Sequence, residues 1–221
     1  MKKGLTELVF ILDRYGSMSG LESDTIGGFN GLLEKQKREL GECVVTTVLF
    51  DDKYELLHDR ISLPSVGSIT QKEYFVRGST ALLDAIGRTV DKINNAQANT
   101  SEDGRAEKVL FVIVTDGLEN ASREYRIDRI KAMIERQTKE HGWEFLFLGA
   151  NMDAISVAAG FGIAADRAVT YRADAAGTQL NYDVLSDTVS CVRAGAPMTA
   201  KWKKRIEKDA QERRKKIMPH A

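Results

Sequence analysis

The stretch ELVFILDRYGSMSG, residues 7–20, decides the fold. Leu8 to Leu12 is an unbroken apolar run without alternation, the pattern of a strand covered on both faces. It stops at Asp13 and continues as Arg14, Tyr15, Gly16, Ser17, a charged and hydroxyl-bearing loop at the strand's carboxyl end. In open α/β sheets that end is where ligands bind.

Working outward, further strand patterns lie at 43–50, 54–61, 108–115 and 144–148, with a weaker one at 167–170. Helical periodicity fills the gaps at 23–40, 81–95, 126–140, 154–159 and 178–192. Such alternation predicts an α/β chain: a Rossmann-like, doubly wound, mostly parallel sheet with helices on both faces. The strands at 43–50 and 54–61 are joined by Asp51, Asp52 and Lys53, a hairpin-length loop, so one edge strand is expected to run antiparallel. Residues 94–107 read as a polar loop. Gly27, Gly28 and Gly31 interrupt the first helical segment, each costing about 1 kcal/mol relative to alanine. Two readings account for them: close packing of this helix against the sheet, or backbone approach to a site above the first strand.

The chain has 221 residues, 43% apolar and 29% charged, which describes a globular domain and argues against disorder, collagen or a disulfide framework. Its 32 basic and 32 acidic residues cancel, but unevenly. Residues 197–221 hold nine basic against three acidic residues, net +6, and the preceding 196 are net −6. This divides the chain into a domain at 1–196 and a basic, helical tail at 197–221. In the tail, Trp202, Ile206, Ala210 and Ile217 recur at near-helical spacing opposite KWKKR and ERRKK. That stripe suits docking on an acidic partner, an anionic surface or nucleic acid, packing back on the acidic body, or a solvated terminus. Glu7 and Asp13 bracket an apolar run too short for a signal core or membrane span. Cys43 and Cys191 stand far apart, and His58, His141 and His220 show no ligand spacing, so no zinc cluster is expected and a cytoplasmic location is the default.

Chemistry concentrates at three loops. Asp13 to Gly20 follows the first strand; Val114-Thr115-Asp116-Gly117-Leu118-Glu119-Asn120 ends the strand at 108–115; Arg77-Gly78-Ser79-Thr80 precedes the second helix. Two aspartates with small hydroxyls suit a hard divalent cation, Mg²⁺ or Mn²⁺, that prefers oxygen ligands. Ser19 and Ser79 are candidates for hydrogen bonds behind the ligands, Asp84 for orienting the Thr80 loop or capping its helix, and Glu119 with Asn120 for the rim or a solvated turn.

Through FILDRYGSMSG, RGSTALLDAIG and VIVTDGLEN the chain resembles the von Willebrand factor type A (VWA) domain over roughly residues 5–195. Its wording is similar to small stand-alone bacterial or phage members. The resemblance implies a metal-ion-dependent adhesion site, DxSxS on the first loop with a threonine and an aspartate on the other two. Carried over by position, the metal ligands are Asp13, Ser17, Thr80 and Asp116, and the implied partner is a protein supplying an acidic side chain to the metal. This chain departs from the pattern at Tyr15, which replaces the first serine. A serine oxygen stands about 2.4 Å from its Cα and a phenol oxygen roughly 6.5 Å, so Tyr15 cannot take the serine's place without moving the loop. The ring must swing out to solvent, where one lost oxygen weakens coordination, or fill the place where metal and partner meet, where it abolishes metal binding, so the site is expected to be degraded or conditional.

A different class of protein competes with this reading. Asp13 sits where haloacid-dehalogenase-type phosphatases keep their nucleophile beside Mg²⁺, which makes a metal-dependent phosphoryl-transfer enzyme the runner-up. That chemistry requires a second acid two positions on, and the chain has Tyr15 there. The first loop lacks GxGxxG, and the histidines are remote from all three loops. No catalysis is expected. A nucleic-acid-associated protein acting through the tail is a third reading, marked by steep salt dependence.

Overall fold

The computed structural model describes residues 1–16 and 19–217, with side chains as far as Arg214. Strands β1 (Lys2–Asp13), β2 (Cys43–Phe50), β3 (Tyr54–Ser62), β4 (Ala106–Thr115), β5 (Glu144–Ala150) and β6 (Ala168–Tyr171) form one sheet ordered β3-β2-β1-β4-β5-β6. All neighbours are parallel except β2 and β3, which pair antiparallel as the short loop requires.

Helices α1 (Glu22–Lys37) and α5 (Ala175–Arg193) cover one face; α2 (Leu82–Ala98), α3 (Ile127–His141) and α4 (Ala154–Gly160) cover the other. The unbroken apolar run of β1 is thereby explained. Leu8, Phe10 and Leu12 pack toward Phe29 and Leu33 of α1 and Leu185 of α5. Val9 and Ile11 pack toward Ile86 and Val90 of α2 and Ile130 of α3. A strand that feeds two cores has no polar face to alternate with.

The sheet extends further than the sequence pattern indicated. β1 starts at Lys2, and β4 starts at Ala106 inside the stretch read as a loop, the two pairing at Lys2 and Ala106 across a register shift. Residues 1–4 are exposed, so no apolar signature marked this extension. The glycines of α1 also differ from the packing expected. Gly28 lies against α5, not the sheet, and a Cβ there would stand 2.3 Å from Tyr182 Cδ2. Gly27 and Gly31 have nothing within 4 Å of a Cβ position.

The basic tail packs on the body. After a short turn at Ala200–Lys203, α6 (Lys204–Ile217) lies along β6 and α5. Ile206 is buried, the Trp202 indole N–H donates to the Asp166 carbonyl at 2.8 Å, and Lys203 Nζ donates to the Ala165 and Ala168 carbonyls at 2.7 and 2.8 Å. Arg213 donates to both oxygens of Asp174, the residue that caps α5. The Ile217 side chain and His220 lie outside what is described. Among the described residues no helix is long and apolar enough to cross a membrane.

β1 stands at the centre of the sheet with β2 on one side and β4 on the other, so strand order reverses between β1 and β4. The crevice outside the carboxyl ends of these two strands is where a doubly wound sheet places a ligand.

Candidate functional site

Asp13 is the last residue of β1 and Asp116 follows the last residue of β4. The parallel register, Leu12 beside Val114, sets Asp13 next to Thr115 and brings both carboxylates to one crevice. Both are buried, at 3% and 6% exposure. Asp13 Oδ1 accepts the Tyr15 N–H at 2.8 Å, and Oδ2 accepts the Thr115 hydroxyl at 2.6 Å. Burial raises the Asp13 carboxyl; those hydrogen bonds lower it, the Asp116 charge raises it, and the result is a group pushed up to about 7. Two buried acids at adjacent strand ends resist ionising together.

Thr80 completes the crevice from the loop before α2. Its N–H donates to Asn120 Oδ1 at 3.0 Å, and its carbonyl accepts the N–H groups of Asn120 and Ala121 at 3.0 and 3.2 Å. The backbone is thus clamped to the third loop. Its hydroxyl, by contrast, is buried and has no hydrogen-bond partner among the described residues. A Cβ on Gly117 would stand 2.6 Å from Thr80 Oγ1 and 3.2 Å from Tyr15 Cδ1, so only glycine lets these groups approach. The same contact locates the Tyr15 ring. It is half-buried and lies on the Gly117 side beside Thr80, not out in solvent.

The other expected residues divide. Ser17 lies outside the described residues. Ser19 is exposed, its N–H donating to the Gly16 carbonyl at 3.1 Å, and Ser79 is half-buried. Asp84 accepts the N–H groups of Arg123, Glu124 and Tyr125 at 2.8–2.9 Å, fastening α2 to the chain that follows the third loop. Glu119 accepts the N–H groups of Leu83, Ala121 and Ser122 at 2.7–2.9 Å. Ser122 Oγ accepts the Asp84 N–H at 3.0 Å. Helix α2 has no side-chain cap of its own, and Glu119 with Ser122 satisfies its first-turn donors from the third loop.

Several supporting residues escaped the sequence reading. Arg14 is fully buried and bridges Glu55 at 2.7 Å and Asp51 at 3.2 Å, its guanidinium 5.4 Å from the Phe75 ring centre. Tyr74 donates its hydroxyl to the Asp13 carbonyl at 2.6 Å. Burial alone would raise Asp51, but hydrogen bonds from Arg77 and the Lys53 backbone, aided by Arg14, hold it below the usual carboxylate range. These groups fix the first loop from below. Their partners lie some 40–60 residues away, a separation that spacing within a motif does not reveal.

Among the described residues no three His, Cys, Asp or Glu side chains gather as a metal cluster. What the crevice offers is two carboxylates and a hydroxyl, a hard oxygen set.

The fold and crevice define a class: doubly wound α/β domains that present an acidic, hydroxyl-bearing site at the β1/β4 reversal. No protein-family model and no curated protein matches the sequence. Solved structures do match. Proximal thread matrix protein 1 from the mussel byssus aligns at TM-score 0.55 and 13% identity, over 86% of this chain and 46% of that one. A further structure of it, "with zinc occupied MIDAS motif", aligns at 0.55 and 14% over 85% and 46%. The ArnB paralog VWA2 from Sulfolobus acidocaldarius aligns at 0.52 and 14%, over 85% and 45%. A von Willebrand factor type A protein from Catenulispora acidiphila aligns at 0.53 and 13%, over 84% and 42%. The chain therefore has the von Willebrand factor A-type fold, and it spans under half the length of these matched chains.

Proposed function

We propose that this chain is a protein-interaction module that binds through a divalent cation, Mg²⁺ or Mn²⁺, held by Asp13, Thr80 and Asp116 together with Ser17. One observation carries the reading: a buried Thr80 hydroxyl with no hydrogen-bond partner among the described residues, in the crevice with two buried carboxylates. A buried hydroxyl left unsatisfied costs about 1–3 kcal/mol, and a cation ligand is what such an oxygen lacks. The zinc-occupied motif of the mussel protein supports the same use of this fold.

A bound cation supplies a positive position that accepts an outside acidic side chain. The chain's own residues do the rest. Tyr74 and Arg14 hold the first loop, Asn120 holds the Thr80 backbone, and Gly117, without a Cβ, lets Thr80 and the Tyr15 ring come close. Tyr15 lies on the Gly117 side of the crevice, and we take it to weaken coordination by replacing a small hydroxyl with a ring. Binding, not catalysis, follows, because Tyr15 stands where phosphoryl transfer requires a second acid. Cys43 and Cys191 are free thiols, which supports a reducing, cytoplasmic setting.

Isothermal calorimetry with Mn²⁺ tests the proposal. Saturable one-to-one binding is expected for the full chain, weakened at least tenfold in Thr80→Val. No binding by the full chain, or equal binding by the variant, overturns it.

A further inference from the structure

The basic tail walls a second hollow on the same edge of the sheet as the crevice. β5 ends at Ala150 and β6 at Tyr171, and Ala210 and Arg214 of α6 stand across from Asn151, Met152 and Asp153 after the one and Arg172 after the other. Between them lies an open groove of about 760 Å³, within the roughly 300–1,000 Å³ usual for ligand sites.

The free groups of this groove are donors. Arg214 is exposed and has no partner among the described residues, and Arg172 meets Asp174 through Nε alone, at 3.1 Å, which leaves its terminal N–H groups open. The nearby carboxylates are taken. Asp153 accepts the Ser156 N–H and hydroxyl at 3.1 and 2.6 Å, Asp174 holds Arg213 and the Gly177 N–H, and Asp209 holds Arg213 as well. Two guanidiniums with unused forked donors suit a carboxylate.

We propose, resting on the cation reading above, that the groove is a second contact for the partner bound at the crevice. That partner presents an extended stretch with at least two acidic side chains, one for the cation and another for Arg172 and Arg214. The sheet order β1-β4-β5-β6 sets the β5/β6 gap two strand spacings from the β1/β4 gap, roughly 10 Å, which about three residues of extended chain cover. Charge sets the partner's class. Residues 1–196 are net −6 and repel a long polyanion such as nucleic acid, whereas a short acidic peptide needs only the two local positive positions. The tail thereby acquires a role beyond packing: Trp202, Lys203 and Ile206 hold α6 on the body, while Arg214, which holds nothing there, lines the groove.

Fluorescence anisotropy of a labelled hexaglutamate peptide with Mn²⁺, alongside calorimetry with Mn²⁺ alone, tests this on the full chain. The peptide is expected to bind more tightly with Mn²⁺ than without. It should bind about fivefold more weakly to Arg172→Gln/Arg214→Gln, or to Arg214→Gln should the double variant not fold, at unchanged Mn²⁺ affinity. Lys201→Gln/Lys204→Gln, which loses the same charge elsewhere on the tail, should bind the peptide like the full chain. Unchanged peptide affinity in the arginine variants, an equal loss in the lysine variant, no peptide binding by a chain that binds Mn²⁺, or equally tight binding of hexauridylate RNA overturns the groove alone. A full chain that does not bind Mn²⁺ overturns the crevice reading, and the two-point partner with it.

Discussion

Thr80 places stability and binding in opposition. Its hydroxyl is buried without a hydrogen-bond partner among the described residues, an arrangement that penalises the metal-free fold. Thr80→Val removes that oxygen while keeping the shape, so urea unfolding without metal should show equal or greater stability, by up to about 1 kcal/mol, while cation affinity falls. A loss of more than about 1 kcal/mol would mean that the hydroxyl has a structural partner. Tyr15 makes the complementary case. Tyr15→Ser replaces the ring beside Gly117 with a hydroxyl of ligand size, and Mg²⁺ should bind it about tenfold more tightly, roughly 1.4 kcal/mol, by calorimetry. Equal affinity would show that the ring is harmless. At this scale the sequence was partly legible. Asp13 and Asp116 were recognisable because each follows an apolar strand run, whereas Asn120 read only as rim or turn and Tyr74 gave no signal, because their partners are 40 and 61 positions away.

Among the elements, α1 separates two kinds of helical glycine that a sequence cannot distinguish. Gly28 is filled by Tyr182, and Gly28→Ala should destabilise by about 1–3 kcal/mol through overpacking. Gly27 and Gly31 are open, and alanine at either should stabilise by up to about 1 kcal/mol. Chemical denaturation of the three variants checks the contrast; the same sign at all three would contradict it. Strands covered on both faces made the order and type of elements readable from the apolar pattern along the chain. What stayed hidden was the capping of α2, whose first-turn donors are satisfied by Glu119 and Ser122 from another loop, and the exposed ends of β1 and β4, which carry no apolar mark.

At the level of the whole molecule, the charge split acquires a structure. Acidic body and basic tail meet at Arg213–Asp174 and Arg205–Asp187, pairs exposed enough to contribute little. The apolar and backbone contacts of Ile206, Trp202 and Lys203 along β6 matter more. Truncation after residue 196 should therefore lower stability by on the order of 3 kcal/mol, read as a reduced thermal midpoint; an unchanged midpoint would show that the tail is dispensable. Acid should act through Asp51. A carboxylate held low in the fold contributes its stability above the ordinary aspartate value of about 3.9 and loses it as pH falls through that value toward the folded one. Urea midpoints at about pH 6 and about pH 3 should thus diverge more for the full chain than for Asp51→Asn. Equal divergence would remove Asp51 from the account. The central claim, a cation held at the β1/β4 reversal, is tested most directly by anomalous diffraction from crystals grown with Mn²⁺. The account predicts one anomalous peak bounded by Asp13, Thr80 and Asp116. A peak elsewhere, or none at saturating Mn²⁺, would contradict it.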